Sequence, residues 1–458
     1  MKIKIHLVFF LVSLIVFFAC RKANNNYIDS DQEWLSGGKQ TVFDATSSAF
    51  EHPFSGLSDR EIFLHDVGDK AFSATFVTAP APINSGLGPI YNNVSCISCH
   101  VKDGRGKAPE DGQGLSGLLL RISIPGTDFH GGPLGVPNFG GQLQNRAIGG
   151  KMPESVIATS YTYINGTFPD GTPYQLRKPR YIFINPYLNM PSDLEISPRM
   201  PPPVFGLGLI EAISESDILK HQDINDMDGD GISGKANYVY NPLTKNKELG
   251  RFGWKCGQPS LLLQSAGAFN EDMGITSFVF PVENSFGQTQ YDGLNDENEI
   301  SDSLLQAVAF YMQTLSVPAR RNANYIDVLE GKKIFNQIGC NNCHINQFKT
   351  MTDMAFTSRS NQTIYPYSDF LLHDMGTDLA DYRPDFLANG FEWRTPPLWG
   401  IGLTKKINGH ENFLHDGRAR SFEEAILWHG GEGIDSKTKY MNLNSSQRVQ
   451  LIKFLESL

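Results

Sequence analysis

The chain has 458 residues, 49 of them acidic and 39 basic, for a net charge of −10. That length exceeds what one hydrophobic core supports and predicts two or three domains. The acidic balance excludes nucleic acid as a partner class, because a phosphate-binding surface needs a basic excess.

Lys2 and Lys4 precede an apolar run from Leu7 to Ala19. The run is shorter than the ~20 residues a membrane-spanning helix needs, so residues 1–19 read as a secretory signal peptide. Cys20 follows Phe17-Phe18-Ala19, which resembles a bacterial lipobox with Phe17 where Leu is usual. Lipidation of Cys20 is the expectation, with residues 20–30 as a polar tether. A plain signal peptide cleaved nearby, or an uncleaved anchor, is the alternative. Without residues 1–19 the net charge is −12. The expected setting is an exported protein anchored by lipid to a bacterial membrane and facing the periplasm.

Ser58-Asp-Arg-Glu61 has the form of a capping box and opens a helix. A Gly-rich stretch follows, then Tyr91 to His100, which ends in Cys96-Ile-Ser-Cys99-His100. Thr162 to Pro186, rich in Tyr, Thr, Ile and Pro, predicts a β-hairpin. Ser301 to Leu315 predicts a helix, and residues 316–324 a linker. Tyr325 to Ile338 predicts a helix through Val328, Leu329, Ile334, Phe335 and Ile338, running into Cys340-Asn-Asn-Cys343-His344. Ser421-Phe-Glu-Glu424 is a second capping box, for a helix stopped by Gly430. Ser445 and Ser446 cap a closing helix with Val449, Ile452 and Leu455 at helical spacing, beside Leu451 and Leu458.

The two CxxCH motifs carry chemistry. Two thiols at this spacing reach the two vinyl groups of one haem, and the adjacent imidazole reaches its iron. A redox CxxC does not require the His, and a zinc site needs a second ligand pair that neither motif has nearby. Two haem c groups follow: Cys96 and Cys99 with His100 as proximal ligand, and Cys340 and Cys343 with His344. Cys256 is left over and reads as a buried apolar residue.

An internal repeat supports two modules. Arg199-Met-Pro-Pro-Pro-Val-Phe-Gly-Leu-Gly-Leu209 is echoed by Arg394-Thr-Pro-Pro-Leu-Trp-Gly-Ile-Gly-Leu403. A Pro-rich loop on a haem edge would place Arg199 and Arg394 near propionates. The expected fold is mainly α and loop-rich. It has two cytochrome c-like domains, 31–315 and 325–458, and the hairpin insertion lies in the first. Asp226, Asp228 and Asp230 alternate with Gly at the sixth position, as in calcium loops, although Asn237 stands where a bidentate Glu is expected.

Several long strings resemble the di-haem oxidoreductases, peroxidase-type and thiol-oxidoreductase relatives of bacterial di-haem cytochrome c peroxidase. They are Gly86-Leu-Gly-Pro-Ile-Tyr-Asn92 through CISCHVKDGRG, GRFGWK at 250–255, Asp272-Met-Gly-Ile275, LLHDMG at 371–376, RTPPLWGIGL, and FLHDGRARSFEEAILWHGGE at 413–432. The resemblance covers nearly the whole chain after the signal peptide. It implies a distal ligand for the second haem at His429, where the peroxidases carry a Met before Gly, with Met375 and His415 as rivals. It implies a distal pocket for the first haem built from Gln264 and from Glu271 or Asp272, with Met273 as a ligand that would close it. It places Trp254 where the peroxidases put an electron relay between haems. Those enzymes also bind calcium between their haem domains, and Thr395-Pro396 resembles part of that site. The function implied is peroxide reduction at the first haem with electrons entering at the second from a small redox protein. A pure electron carrier, and an oxidase of thiols or of a partner protein, are the alternatives.

Overall fold

The computed structural model describes residues 32–294 and 298–458. Residues 1–19, read as a signal peptide, Cys20 and the whole expected tether at 20–30 lie outside the described residues. The helices that position the sites are α1 (Asp59–Ser73), α2 (Leu261–Met273), α3 (Asp302–Gln313), α4 (Ile326–Gln337), α5 (Phe422–Trp428) and α6 (Ser445–Ser457). The strands needed here are β1 (Leu119–Thr127), β2 (Val156–Thr167), β3 (Pro173–Ile184) and β4 (Glu195–Arg199).

Both haem motifs are preceded by helices built alike. Ser58 starts α1 with a full capping box, its hydroxyl accepting from the Glu61 amide and the Glu61 carboxylate accepting from the Ser58 amide at 2.7 Å. Gly68 lets α1 cross α3 closely, since a Cβ there would stand 2.1 Å from the Ala307 carbonyl. Gly331 does the same for α4 against α6, where a Cβ would stand 2.0 Å from the Gln450 carbonyl. One turn later Phe72 packs on Tyr311 and His100, with ring centroids 5.4 and 6.0 Å away. Phe335 likewise packs on Phe454 and His344, at 5.1 and 6.2 Å. The shared string is Gly-x-x-x-Phe: Gly and Phe four apart lie on one helical face, so the close crossing and the ring beside the His come together.

The Pro-rich repeat packs against itself. A Cβ on Gly206 (φ +71°) would meet the Trp399 ring at 2.7 Å, and one on Gly400 (φ +69°) would meet the Phe205 ring at 2.4 Å. Each loop therefore supplies an aromatic ring to the other's glycine.

The expectation of a mainly α fold is corrected. Only 27% of residues are helical and 20% lie in strands, spread over several small sheets. Most are two-stranded; one has four strands, with β4 antiparallel to β1. Short ladders satisfy the backbone of loops that the Gly- and Pro-rich composition keeps out of helices. The longest ladder is the hairpin β2–β3, in register from Val156↔Ile184 to Thr167↔Pro173. Two local readings also change. Asn444, not Ser445 or Ser446, caps α6, with Gln447 completing the box; Val449 is exposed, and Leu451, Phe454 and Leu455 face inward. At α5, Ser421 accepts from the Glu424 amide, but the Glu424 carboxylate turns to the Arg420 amide and guanidinium instead of closing a box.

Hydrophobic packing does not divide at residues 316–324. One cluster joins residues between Ala49 and Leu315 to Phe348, Phe370 and Trp399. A second joins the hairpin residues Ile157, Phe168 and Leu176 to Phe335, Trp428 and Phe454. Buried Glu33 adds a polar tie, meeting Lys332 at 2.5 Å, the Tyr367 hydroxyl at 2.7 Å and Asn346 at 2.8 Å. Among the described residues no helix is long and apolar enough to cross a membrane.

Candidate haem sites

Cys96 and Cys99 lie on the turn after a short strand, and the His100 ring packs beside Phe72 of α1. His100 Nδ1 bonds to the Pro202 carbonyl at 2.8 Å, inside the Pro-rich loop. That bond fixes the ring and would leave Nε2 as the nitrogen available to a metal. Burial pushes the His100 imidazole down to about 4, so it stays neutral, as metal ligation requires.

A cavity of about 420 Å³ opens beside this motif, lined by Cys96, Cys99, His100, Trp254, Gln264, Glu271, Asp272 and Met273. Helix α2 positions the last four: Ser260 caps its start, and Gly274 (φ +70°) ends it just after Met273. Asp272 accepts from Gln142 Nε2 at 2.7 Å. Enclosure raises its carboxyl to about 6, against the lowering pull of Arg121 and Gln142. Glu271 pairs with Arg121 at 3.8 Å. Met273 is buried at the helix end. The residues that the sequence proposed for one distal pocket thus share one cavity.

The guanidiniums test whether this cavity suits a haem. Arg199, Arg394 and Arg105 all line it. Arg199 is held by Ser197 at 2.7 Å and lies 3.5 Å from Asp385. Arg394 donates Nε to the Gly253 carbonyl, while its Nη1 is buried with no partner. Arg105 is buried with Nε and Nη1 both unpartnered, near the rings of Trp254 and Phe413. Buried cationic donors without acceptors fit a group that brings carboxylates, as haem propionates do. Arg105 was missed in the sequence; the Gly-Arg-Gly string after CxxCH was the available signal. With the thiol pair and the oriented His100, the residues fit the cofactor.

The second motif is arranged similarly. Glycine 339 (φ +90°) turns the chain out of α4 into Cys340. His344 Nδ1 bonds to the Tyr367 carbonyl at 2.9 Å, and burial again pushes the imidazole down to about 4. His429 ends α5, with Nδ1 bonded to the Ala425 carbonyl at 2.8 Å. The charge of His429 adds to the lowering of His344, after burial. Met375 has its amide on the Phe391 carbonyl, in a strand-edge turn. His415 is buried in a stack on Trp393, with centroids 3.7 Å apart. Trp254 lies edge-on to His415 at 6.5 Å and donates Nε1 to the Met200 carbonyl at 2.7 Å.

Two further readings find their place. Cys256 is fully buried, and burial pushes its thiol up to about 12, which makes it unreactive. The acidic loop gathers Asp223 with Asp226 and Asp228, whereas Asp230 accepts from Asn342 inside the second CxxCH motif. Asn237 is buried elsewhere, on the Lys255 and Asp385 carbonyls.

No curated protein sequence matches the chain. Among solved structures, a MauG-like protein associated with microbial copper homeostasis aligns over 56% of this chain and 89% of its own, with 14% identity and TM-score 0.28. Hydrazine synthase of Kuenenia stuttgartiensis aligns over 35% of this chain, with 20% identity and TM-score 0.24; the match spans 57% of that chain. A family model described as "Di-haem oxidoreductase, putative peroxidase" matches residues 27–458. The chain belongs to this di-haem oxidoreductase family.

Proposed function

We propose that the chain is an exported, lipid-anchored c-type di-haem enzyme that reduces peroxide at its first haem. In this reading Cys96 and Cys99, and Cys340 and Cys343, bond the two haems through thioethers, and His100 and His344 ligate the irons. The observation that carries it is the gathering of Gln264, Glu271 and Asp272 around the cavity that Cys96, Cys99 and His100 also line. A haem held by Cys96, Cys99 and His100 would supply the electrons that cleave the peroxide O–O bond. Asp272 takes the proton from one peroxide oxygen and returns it to the leaving one. Its carboxyl, raised to about 6, suits both steps near neutral pH. The Gln264 amide orients the substrate, and Glu271 with Arg121 adds a charged pair to the cavity lining.

On the second side, Cys340, Cys343, His344 and His429 would hold a haem that stores electrons and takes no substrate. Trp254 conducts between the two sites. A small redox protein delivers the two electrons that each peroxide consumes, and Cys20 carries the lipid. Asp223, Asp226 and Asp228 bind calcium beside the second motif, with Asp230 tied to Asn342.

A second reading, a pure electron carrier, is favoured by one observation: Met273 lines the same cavity and as a ligand would close it. Electronic spectra of the purified protein separate the two. The peroxidase reading expects half-reduction to produce a high-spin, peroxide-reactive haem, and Asp272→Asn to slow turnover about 100-fold or more. Two haems that stay low-spin at every stage of reduction would favour the carrier.

A further inference from the structure

His373 lies in the LLHDMG string, which peroxide reduction at the first haem does not use. It is almost wholly buried. Its Nε2 stands 2.7 Å from Asp369 Oδ2 and its Nδ1 stands 2.5 Å from Glu432 Oε2. A neutral imidazole has one N–H and would turn a lone pair on one of these carboxylates; only the imidazolium donates to both. The charge balance points the same way: burial lowers the imidazole, but Asp369 and the Cys343 sulfur raise it well above its ordinary value, and the contact with His373 in turn lowers Glu432.

Glu432 is itself fixed. Its Oε1 accepts from the Ser233 hydroxyl at 2.6 Å and the Asp374 amide at 3.2 Å, and its Oε2 from the Ser233 amide at 3.1 Å. Arg394 and His221 also feel the Asp369 charge. The cluster touches the second motif directly, with His373 Nδ1 3.6 Å from Cys343 Sγ. The charge of His373 reaches His344 as well.

We propose that His373, held as an imidazolium between Asp369 and Glu432, sets the reduction potential of the haem attached at Cys340 and Cys343. The inference rests on the attachment reading above. His373 is a positioning residue that places one positive and two negative charges at the thioether edge. Reduction adds an electron to the neighbouring group, so each carboxylate disfavours it and the imidazolium favours it. Buried charges act at short range with little screening, which makes each worth about tenfold in the reduction equilibrium.

Potentiometric titration of the full-length di-haem protein tests this, with each haem followed by its optical bands. Glu432→Gln removes a negative charge and is expected to favour reduction of this haem about tenfold, about 59 mV for one electron. His373→Gln, in mildly alkaline buffer where both carboxylates stay ionised, is expected to disfavour it by a similar factor. The other haem keeps its potential. A merely structural role moves both variants the same way or not at all, and either result overturns the proposal. If His373→Gln does not fold, Glu432→Gln decides: a raised potential upholds the proposal, an unchanged or lowered one overturns it. Mass spectrometry of the 340–344 peptide separates the premises. Absence of haem there refutes the attachment reading and the proposal with it. Haem present with unmoved potentials refutes the proposal alone.

Discussion

Glu154 is a carboxyl with no exposed surface. It accepts from the Gln144 amide at 2.6 Å and from Gln288 Nε2 at 2.9 Å, yet burial outweighs both and raises it to about 8. The folded protein therefore binds a proton between pH 4.5 and about 8 that the unfolded chain has released. A raised acid contributes stability in full below its unfolded value and loses it as pH rises through the folded one. Melting temperature should accordingly fall across that window in the native protein, and fall less in Glu154→Gln. Parallel curves for the two would sink the assignment. None of this was legible in the sequence, where Glu154 sits in an unremarked Met-Pro-Glu-Ser stretch. Desolvation belongs to the folded environment and leaves no local pattern. The CxxCH residues are the opposite case, since their spacing is dictated by one small molecule and reads directly from the chain. Arg105 lies between: it sits near the motif, but only the fold shows two of its buried nitrogens without partners, whereas Arg199 has one such nitrogen and acidic neighbours beside it.

At the scale of elements, the helices that capping and apolar periodicity announced were legible to within a residue or two, because both signals are local, whereas α2 was not expected. Tyr325 to Ile338 is realised as α4, and Ser301 to Leu315 as α3. What the helices touch was less visible. Gly68 and Gly331 cost helix propensity, and their use appears only at the crossings with α3 and α6. Gly331→Ala must separate α4 from α6, because the added Cβ meets backbone rather than a flexible side chain. The overpacking cost is about 2 kcal/mol, larger than the propensity gained. A denaturant titration should show the lowered midpoint, and an unchanged midpoint would mean that the helices separate freely.

Across the whole molecule, the hairpin β2–β3 clamps the chain's second half. Arg177 donates Nε to the Arg418 carbonyl at 3.1 Å and Nη2 to the Gly417 carbonyl at 3.2 Å, and covers the Tyr161 ring at 4.3 Å. Arg448 reaches back to Asp170 at the hairpin tip, 2.7 Å away. Arg177→Ala leaves two buried carbonyls without donors and should cost about 1–3 kcal/mol. Arg177→Lys should recover only part, because an ammonium lacks the planar fork that meets two carbonyls. Urea denaturation of the two variants checks both expectations; equal stability of all three proteins would show that the clamp contributes nothing.

The CxxCH motifs, the helices before them, the repeated Pro-rich loops and the family strings were all determined by the sequence. Each depends on a spacing along the chain or on a bond to one ligand. The balance of helix and strand was not, and the mainly α expectation failed because many short ladders are chosen by tertiary neighbours rather than by local propensity. Tertiary structure alone brought α2 to the first motif and closed Asp369, His373 and Glu432 around Cys343. Those groups are distant in sequence, and their charge states depend on burial and on one another.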